Sequence, residues 1–276
     1  MQDKQVYELR KLERKLFNAW CRWLCYPSRN ITDDNASRDN FISVLKVVDQ
    51  KLLETPGPYF LAEFSVVDSI FIPYVERMHA SLFYYKGFSM RDKTKFPGLT
   101  AWFSGIESRD TYMGTQSDFH THVHDLPPQM GGCYENGTKE QEECKNRVDS
   151  CTDFSLPESS VEEKEENKYL AAERVLKFKD YILQVNPCKD ETIDEGLRCA
   201  LTYLLSGQLI TPPPGCDVGL RYIKERINVP RDMSLWSARR LREALELTAA
   251  AAGSGTGQPI PSEHRRDQNP ANFGKI

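Results

Sequence analysis

The chain has 276 residues, 39% of them hydrophobic, and a formal net charge of −4 at pH 7. This length suffices for one large or two small domains, and the mild acidity gives no general attraction to nucleic acid or to anionic lipid. No apolar run reaches the roughly eighteen residues that a membrane span needs, and the first residues lack the apolar core of a secretory signal. We therefore expect a cytoplasmic protein with no membrane span and no nucleic-acid partner.

Helical periodicity covers the first third of the chain. Apolar spacing predicts one helix over about 5–24 and a second over about 38–53, with loop-forming residues at 28–35 between them. A third helix, apolar nearly all round, is predicted to start at Ser65 and run to about Met78, as expected of a helix in the middle of a bundle. A fourth follows Pro97, a residue that suits the first turn of a helix.

The start of the third helix carries a capping box. The Ser65 hydroxyl is expected to accept a hydrogen bond from the amide of Asp68, and the Asp68 carboxylate to reach back to the amide of Ser65. A buried helix start has no water for its first amides. Loss of the box is therefore expected to cost about 1 to 2 kcal/mol of stability.

The remainder of the chain changes character twice. Residues 118–166 are turn-rich and then dense in glutamate, which indicates a loop and a flexible acidic linker. Four further helical patterns follow and define a second helical module over 167–252. The Gly/Ser-rich run after it predicts a flexible tail over 253–276. The first domain is assigned to 1–117, and no strand is predicted anywhere, so the fold class is all-α.

Two segments of the first domain carry a resemblance to a known family. Residues 57–62 read Gly-Pro-Tyr-Phe-Leu-Ala ahead of the Ser65–Asp68 box, and residues 96–102 read Phe-Pro-Gly-Leu-Thr-Ala-Trp. In this combination and at this distance they resemble the C-terminal helical domain of glutathione transferases. The resemblance covers roughly Glu8 to Tyr112. It implies a helical bundle of that type, here followed by an extra helical module.

The resemblance also implies a division of labour. In the family a thioredoxin-like domain holds glutathione and activates its thiol, whereas the helical domain supplies the wall of the second-substrate pocket. No such domain is predicted in this chain, so no catalytic residue is assigned and no cofactor is expected to be bound by it. Glutathione is implied as a co-substrate. Tyr7, Arg14 and Trp20 are the candidates for the pocket wall, against the alternative that Trp20 is core and Arg14 is solvated.

The leading prediction is therefore a glutathione-transferase-like protein that conjugates glutathione or transfers thiols when complete. The chain is interpreted as a truncated gene model, and its expected partner is a thioredoxin-like domain or a second copy in a homodimer. Similar chains with the extra module in photosynthetic eukaryotes make the plastid an alternative location. The alternative function is a non-enzymatic helical interaction module.

Three histidines form the best metal-like pattern in the sequence. His120, His122 and His124 alternate along the chain, so on an extended segment their side chains would point the same way, and neutral imidazoles suit zinc. The flanking turn residues and Pro127-Pro128 indicate irregular backbone instead. The prediction is therefore that no metal site forms here, and a site made of these three histidines is the alternative.

Overall fold

The computed structural model describes residues 2–252, and the predicted tail over 253–276 lies outside them. Within 2–252 every regular element is an α-helix, which confirms the all-α fold class. The helices are α1 Gln2–Leu24, α2 Ile31–Leu53, α3 Val66–Lys86, α4 Pro97–Glu107, α5 Asp110–Met113, α6 Phe119–Met130, α7 Lys139–Asp149, α8 Glu166–Lys177, α9 Lys179–Val185, α10 Asp190–Ser206, α11 Asp217–Arg226 and α12 Leu235–Ala251.

The helices group into two compact units. Unit 1 comprises the residues up to Met113 together with Leu126–Val148 and Leu156–Val161. Within the described residues, unit 2 comprises Gly114–Asp125, Asp149–Ser155 and 162–252. The residues predicted to form a loop and linker, 118–166, are thus shared between the two units.

Two stretches of that predicted linker are helical, so the loop interpretation is wrong there. Helix α6 buries Phe119, Val123 and Leu126, which are spaced as on one face of a helix and alternate in sequence with the histidines and prolines. Ahead of α7 the Thr138 hydroxyl accepts a hydrogen bond from the amide of Gln141. Acidic residues in the first turn of α7 favour the helix because its N-terminus carries partial positive charge. The glutamate-rich composition that predicted a solvated linker here belongs to the charged first turn of a helix.

Helix α2 also begins earlier than predicted, at Ile31 rather than about residue 38. The side chain of Asn30 caps it by accepting a hydrogen bond from the amide of Asp33 at 3.0 Å. Asp34, in the first turn, forms a buried ion pair with Lys86 of α3, with 2.7 Å between Oδ1 and Nζ. The polar residues that indicated a loop are therefore a cap and one half of a tertiary contact.

Unit 1 is built around α1, α2, α3 and α4. Helix α1 packs on α2 and α3, and α2 packs on α4. The buried core is aromatic and aliphatic, with the following fully or nearly fully buried members: Leu16, Trp20, Trp23, Leu24, Phe41, Leu45, Val48, Phe71, Val75, Met78, Leu99, Trp102, Phe103 and Ile106. Helix α3 contributes buried residues along its whole length, as expected from its apolar sequence.

The capping box at the start of α3 is present and is part of a larger hydrogen-bond cluster. The Asp68 carboxylate is fully buried. Its Oδ2 accepts from the amide and the hydroxyl of Ser65, both at 2.9 Å. Its Oδ1 accepts from the amide of Phe60 at 3.2 Å and from the indole Nε1 of Trp102 at 2.9 Å. One carboxylate therefore joins the turn before α3, the start of α3 and the middle of α4.

Unit 2 has its own core around α12. Helix α12 packs against α8, α10 and α11, and it buries Leu235, Ala238, Leu241, Ala244 and Leu245 on that side. The small residues of α12 let the neighbouring helices approach it closely. The apolar residues of α8, α10 and α11 close the core around it.

We expect Asp68→Ala to lower the free energy of unfolding by about 2 to 4 kcal/mol. The change leaves buried donors from Phe60, Ser65 and Trp102 without their acceptor. Unpaired buried donors lower stability, and the loss is larger when the missing acceptor was charged. Urea unfolding followed by circular dichroism measures the effect. Asp39→Ala is the matched control, because Asp39 lies on α2 with 67% of its side chain exposed. If both variants unfold at the same urea concentration, the Asp68 cluster does not hold unit 1 together.

Candidate functional site

Trp20, one of the three candidates for a substrate-pocket wall, lies in the core of unit 1. Its side chain is 1% exposed, and its indole Nε1 donates a hydrogen bond to the Ser81 hydroxyl of α3 at 3.0 Å. The ring of Phe17 packs against it edge to face, with 5.6 Å between centroids. Trp20 therefore follows the alternative interpretation, as a core residue that joins α1 to α3.

Tyr7 and Arg14 lie on the surface of α1, seven residues apart and so on one face of the helix. The side chain of Tyr7 is 57% exposed, with the Lys11 ammonium 4.3 Å from its ring centroid. The Arg14 guanidinium bonds to the buried Glu13 carboxylate and lies over the rings of Phe17 and Tyr74, at 4.5 and 4.7 Å. This face offers a mixed cationic and aromatic surface.

The histidine segment forms the start of α6. Asp118 caps this helix, since its Oδ1 accepts a hydrogen bond from the amide of Thr121 at 3.0 Å. Helical geometry places residues four apart on one face, so His120 and His124 meet, with 4.7 Å between ring centroids. His122 is buried and lies on another face. The prediction of irregular backbone is wrong here, because these residues form a helix.

A carboxylate from α11 completes this cluster. The Oε2 atom of Glu225 lies 3.4 Å from Nε2 of His120. Potential ligand atoms of His120, His124 and Glu225 all lie within 4.8 Å of one another. On the other side, Nε2 of His124 is 3.0 Å from Oδ1 of Asp149. Glu225 was missed in the sequence because it follows His124 by about a hundred residues and belongs to no local motif.

The protonation states of the cluster follow from its surroundings. Burial, reinforced by the Arg242 cation, lowers the pKa of His120 to about 3, so its imidazole is neutral at physiological pH. Burial alone would raise the pKa of Glu225, but hydrogen bonding to His120 and the charge of the Lys224 ammonium outweigh burial and hold that pKa below the usual range. The cluster therefore presents a neutral imidazole beside an ionised carboxylate.

Two cations approach the cluster, and each is held by a further carboxylate. Nζ of Lys224 lies 3.1 Å from Oε1 of Glu225 and 2.8 Å from Oε2 of Glu246. Arg242 is buried and bonds through Nη1 to Oδ2 of Asp118, which is also buried. Arg242 donates as well to the hydroxyl of Thr121 at 3.2 Å and to the carbonyl of Ile227 at 2.8 Å. The Asp118–Arg242 pair thereby fixes the first turn of α6 against α11 and α12.

Comparisons with protein-family models, with curated proteins and with solved structures returned no match. Among residues 2–252, no helix is long and apolar enough to cross a membrane.

Arg242→Ala is expected to lower the free energy of unfolding by about 3 to 5 kcal/mol, because it leaves the Asp118 carboxylate buried without its cation. Urea unfolding of the purified chain measures the change. Arg198→Ala serves as the control, since Arg198 of α10 pairs with Asp194 while 68% of its side chain is exposed, and such pairs are worth at most about 1 kcal/mol. Equal stability of the two variants would show that the buried pair does not support unit 2.

Proposed function

We propose that this chain supplies the helical part of a glutathione-transferase-like protein, which in its complete form attaches glutathione to an electrophile or reduces a mixed thiol. The observation that supports the proposal is the Asp68 cluster. The three partners of Asp68 come from the two segments that carry the resemblance and from the capping box between them: Phe60 from residues 57–62, Ser65 from the capping box, and Trp102 from residues 96–102. These separate motifs thus all donate hydrogen bonds to the same buried carboxylate.

The proposal assigns the thiol chemistry to another domain. Activation of glutathione requires a site that stabilises its thiolate. In the family that site belongs to a thioredoxin-like domain, whose fold is built on a sheet. Residues 2–252 contain helices and no strand. We therefore propose that glutathione is a co-substrate held by a thioredoxin-like domain, within the same protein or as a partner, and that this chain binds no cofactor for the transfer itself.

The face of α1 that bears Tyr7 and Arg14 is the part proposed to contact the second substrate. An exposed phenol ring and a guanidinium stacked on two further rings suit a substrate with an aromatic body and a negatively charged group. Trp20 is left out of this surface because it is buried in the core.

The proposed location is the cytoplasm, with the plastid as the alternative. All eight cysteines are free thiols in the structure. Free thiols are typical of proteins in reducing compartments, whereas secreted proteins tend to pair them. A thiol-transfer role also fits a compartment in which glutathione is reduced.

The full-length transcript separates this function from the alternative of a non-enzymatic helical interaction module. An in-frame segment encoding a thioredoxin-like domain supports the transferase. In that complete protein, Arg14→Ala is expected to raise the KM for an anionic electrophile several-fold and to leave the KM for glutathione unchanged. Lys15→Ala, at the neighbouring exposed position of α1, is the control. A transcript that encodes no such domain favours the interaction module, with a second copy or a separate domain as its partner.

For the chain by itself, we expect no glutathione conjugation. The physical reason is that residues 2–252 offer no thioredoxin-like site to stabilise the glutathione thiolate. The purified chain is incubated with glutathione and a generic aryl halide, and product is followed by absorbance, with an active two-domain glutathione transferase as positive control. A glutathione-dependent rate clearly above the uncatalysed one would place thiol activation within this chain and overturn the proposed division of labour.

A further inference from the structure

We propose that His120, His124 and Glu225 bind a divalent transition-metal ion, with zinc as the best chemical match. Two imidazoles and one carboxylate form a ligand set that zinc commonly takes when one position is left to water or substrate. This inference stands on unit 2 alone and does not depend on the glutathione-transferase-like proposal.

The spacing of the ligand atoms fits a tetrahedral ion. Zinc–nitrogen and zinc–oxygen bonds of about 2.0 to 2.1 Å place two ligand atoms of a tetrahedron roughly 3.3 Å apart. Nε2 of His120 and Oε2 of Glu225 are 3.4 Å apart. The ligand atom of His124 lies within 4.8 Å of both.

The helices that carry the ligands are held by buried contacts. His120 and His124 lie one turn apart on α6, whose start is capped by Asp118 and locked by the buried Arg242. Glu225 lies near the end of α11, which packs closely on α12. Ligands on packed helices need little ordering when the ion binds, and this favours affinity.

The charges around the cluster also suit a cation. The nearby cations are compensated, because Lys224 also binds Glu246, and Arg242 binds Asp118. Asp149 lies 3.0 Å from the ring of His124, where it can orient the imidazole as carboxylates beside metal-binding histidines commonly do.

The site would have an open coordination position. Three protein ligands leave the fourth place of the tetrahedron to a water molecule, and zinc lowers the pKa of such a water towards neutrality. The proposed class of site is thus one that can activate water or polarise a carbonyl, as opposed to a closed structural site.

The test uses the whole chain, expressed without a histidine tag, stripped with a chelator and kept reduced. Zinc is titrated in competition with a chromophoric chelator, and cobalt(II) is added separately to report the ligand type. We expect one ion per chain and a cobalt spectrum without the intense near-ultraviolet band of thiolate ligands. His120→Gln, His124→Gln and Glu225→Gln should each weaken zinc binding at least about tenfold. His122→Gln is the matched control, on the same helix but on another face, and should bind like the parent chain.

Two measurements protect the test against misfolding of the variants. Each variant is melted without metal, so that loss of the fold is seen independently of loss of the ion. In the unaltered chain, zinc should shift the ring proton signals of His120 and His124 and leave those of His122 in place. No stoichiometric binding at micromolar zinc, a thiolate band with cobalt, or equal affinity of the His120→Gln and parent chains would overturn the proposal.

Discussion

A single buried carboxylate organises unit 1. Asp68 accepts four hydrogen bonds, from the amide of Phe60, the amide and hydroxyl of Ser65, and the indole of Trp102. A buried carboxylate without such donors would be expensive, since hydrogen bonds must replace the water that it loses on folding. The buried Asp68 carboxylate therefore needs the hydrogen-bond donors of the three segments around it. In turn, these hydrogen bonds hold the three segments in position relative to one another.

Unit 2 uses the same device at a different helix. Asp118 caps α6 through Thr121 and forms a buried ion pair with Arg242 of α12. The pair holds the start of α6, the helix that carries His120 and His124, against α12. The proposed metal site depends on this cap, because only a helical segment places His120 and His124 on one face, next to Glu225 of α11.

The sequence predicted the parts of the fold that have local causes. The Ser65–Asp68 box, the apolar α3 and the all-α class all follow from spacing and capping chemistry. The sequence failed where a local pattern had two interpretations. Pro127 and Pro128 indicated irregular backbone, yet the helix spans both of them. The alternating histidines would lie on one side of an extended segment. On a helix, only His120 and His124, four residues apart, lie on the same face.

The remaining errors concern contacts between distant parts of the chain. Glu225 has no sequence feature that connects it with His120, because packing of α11 makes the connection. Trp20 could be assigned either to a pocket or to the core, and its hydrogen bond to Ser81 of α3 decides for the core. Periodicity identifies which residues lie on one face of a helix, but not which other helix that face meets.

Hydrogen exchange at two positions tests most directly whether Asp68 holds the three motif segments together. The indole N–H of Trp102 and the amide of Phe60 both donate to Oδ1 of Asp68. Measured by nuclear magnetic resonance, both are expected to exchange as slowly as the core amides of α3, because they open only when the unit unfolds. Exchange of either group at the rate of an exposed one, while the α3 amides remain protected, would contradict the account.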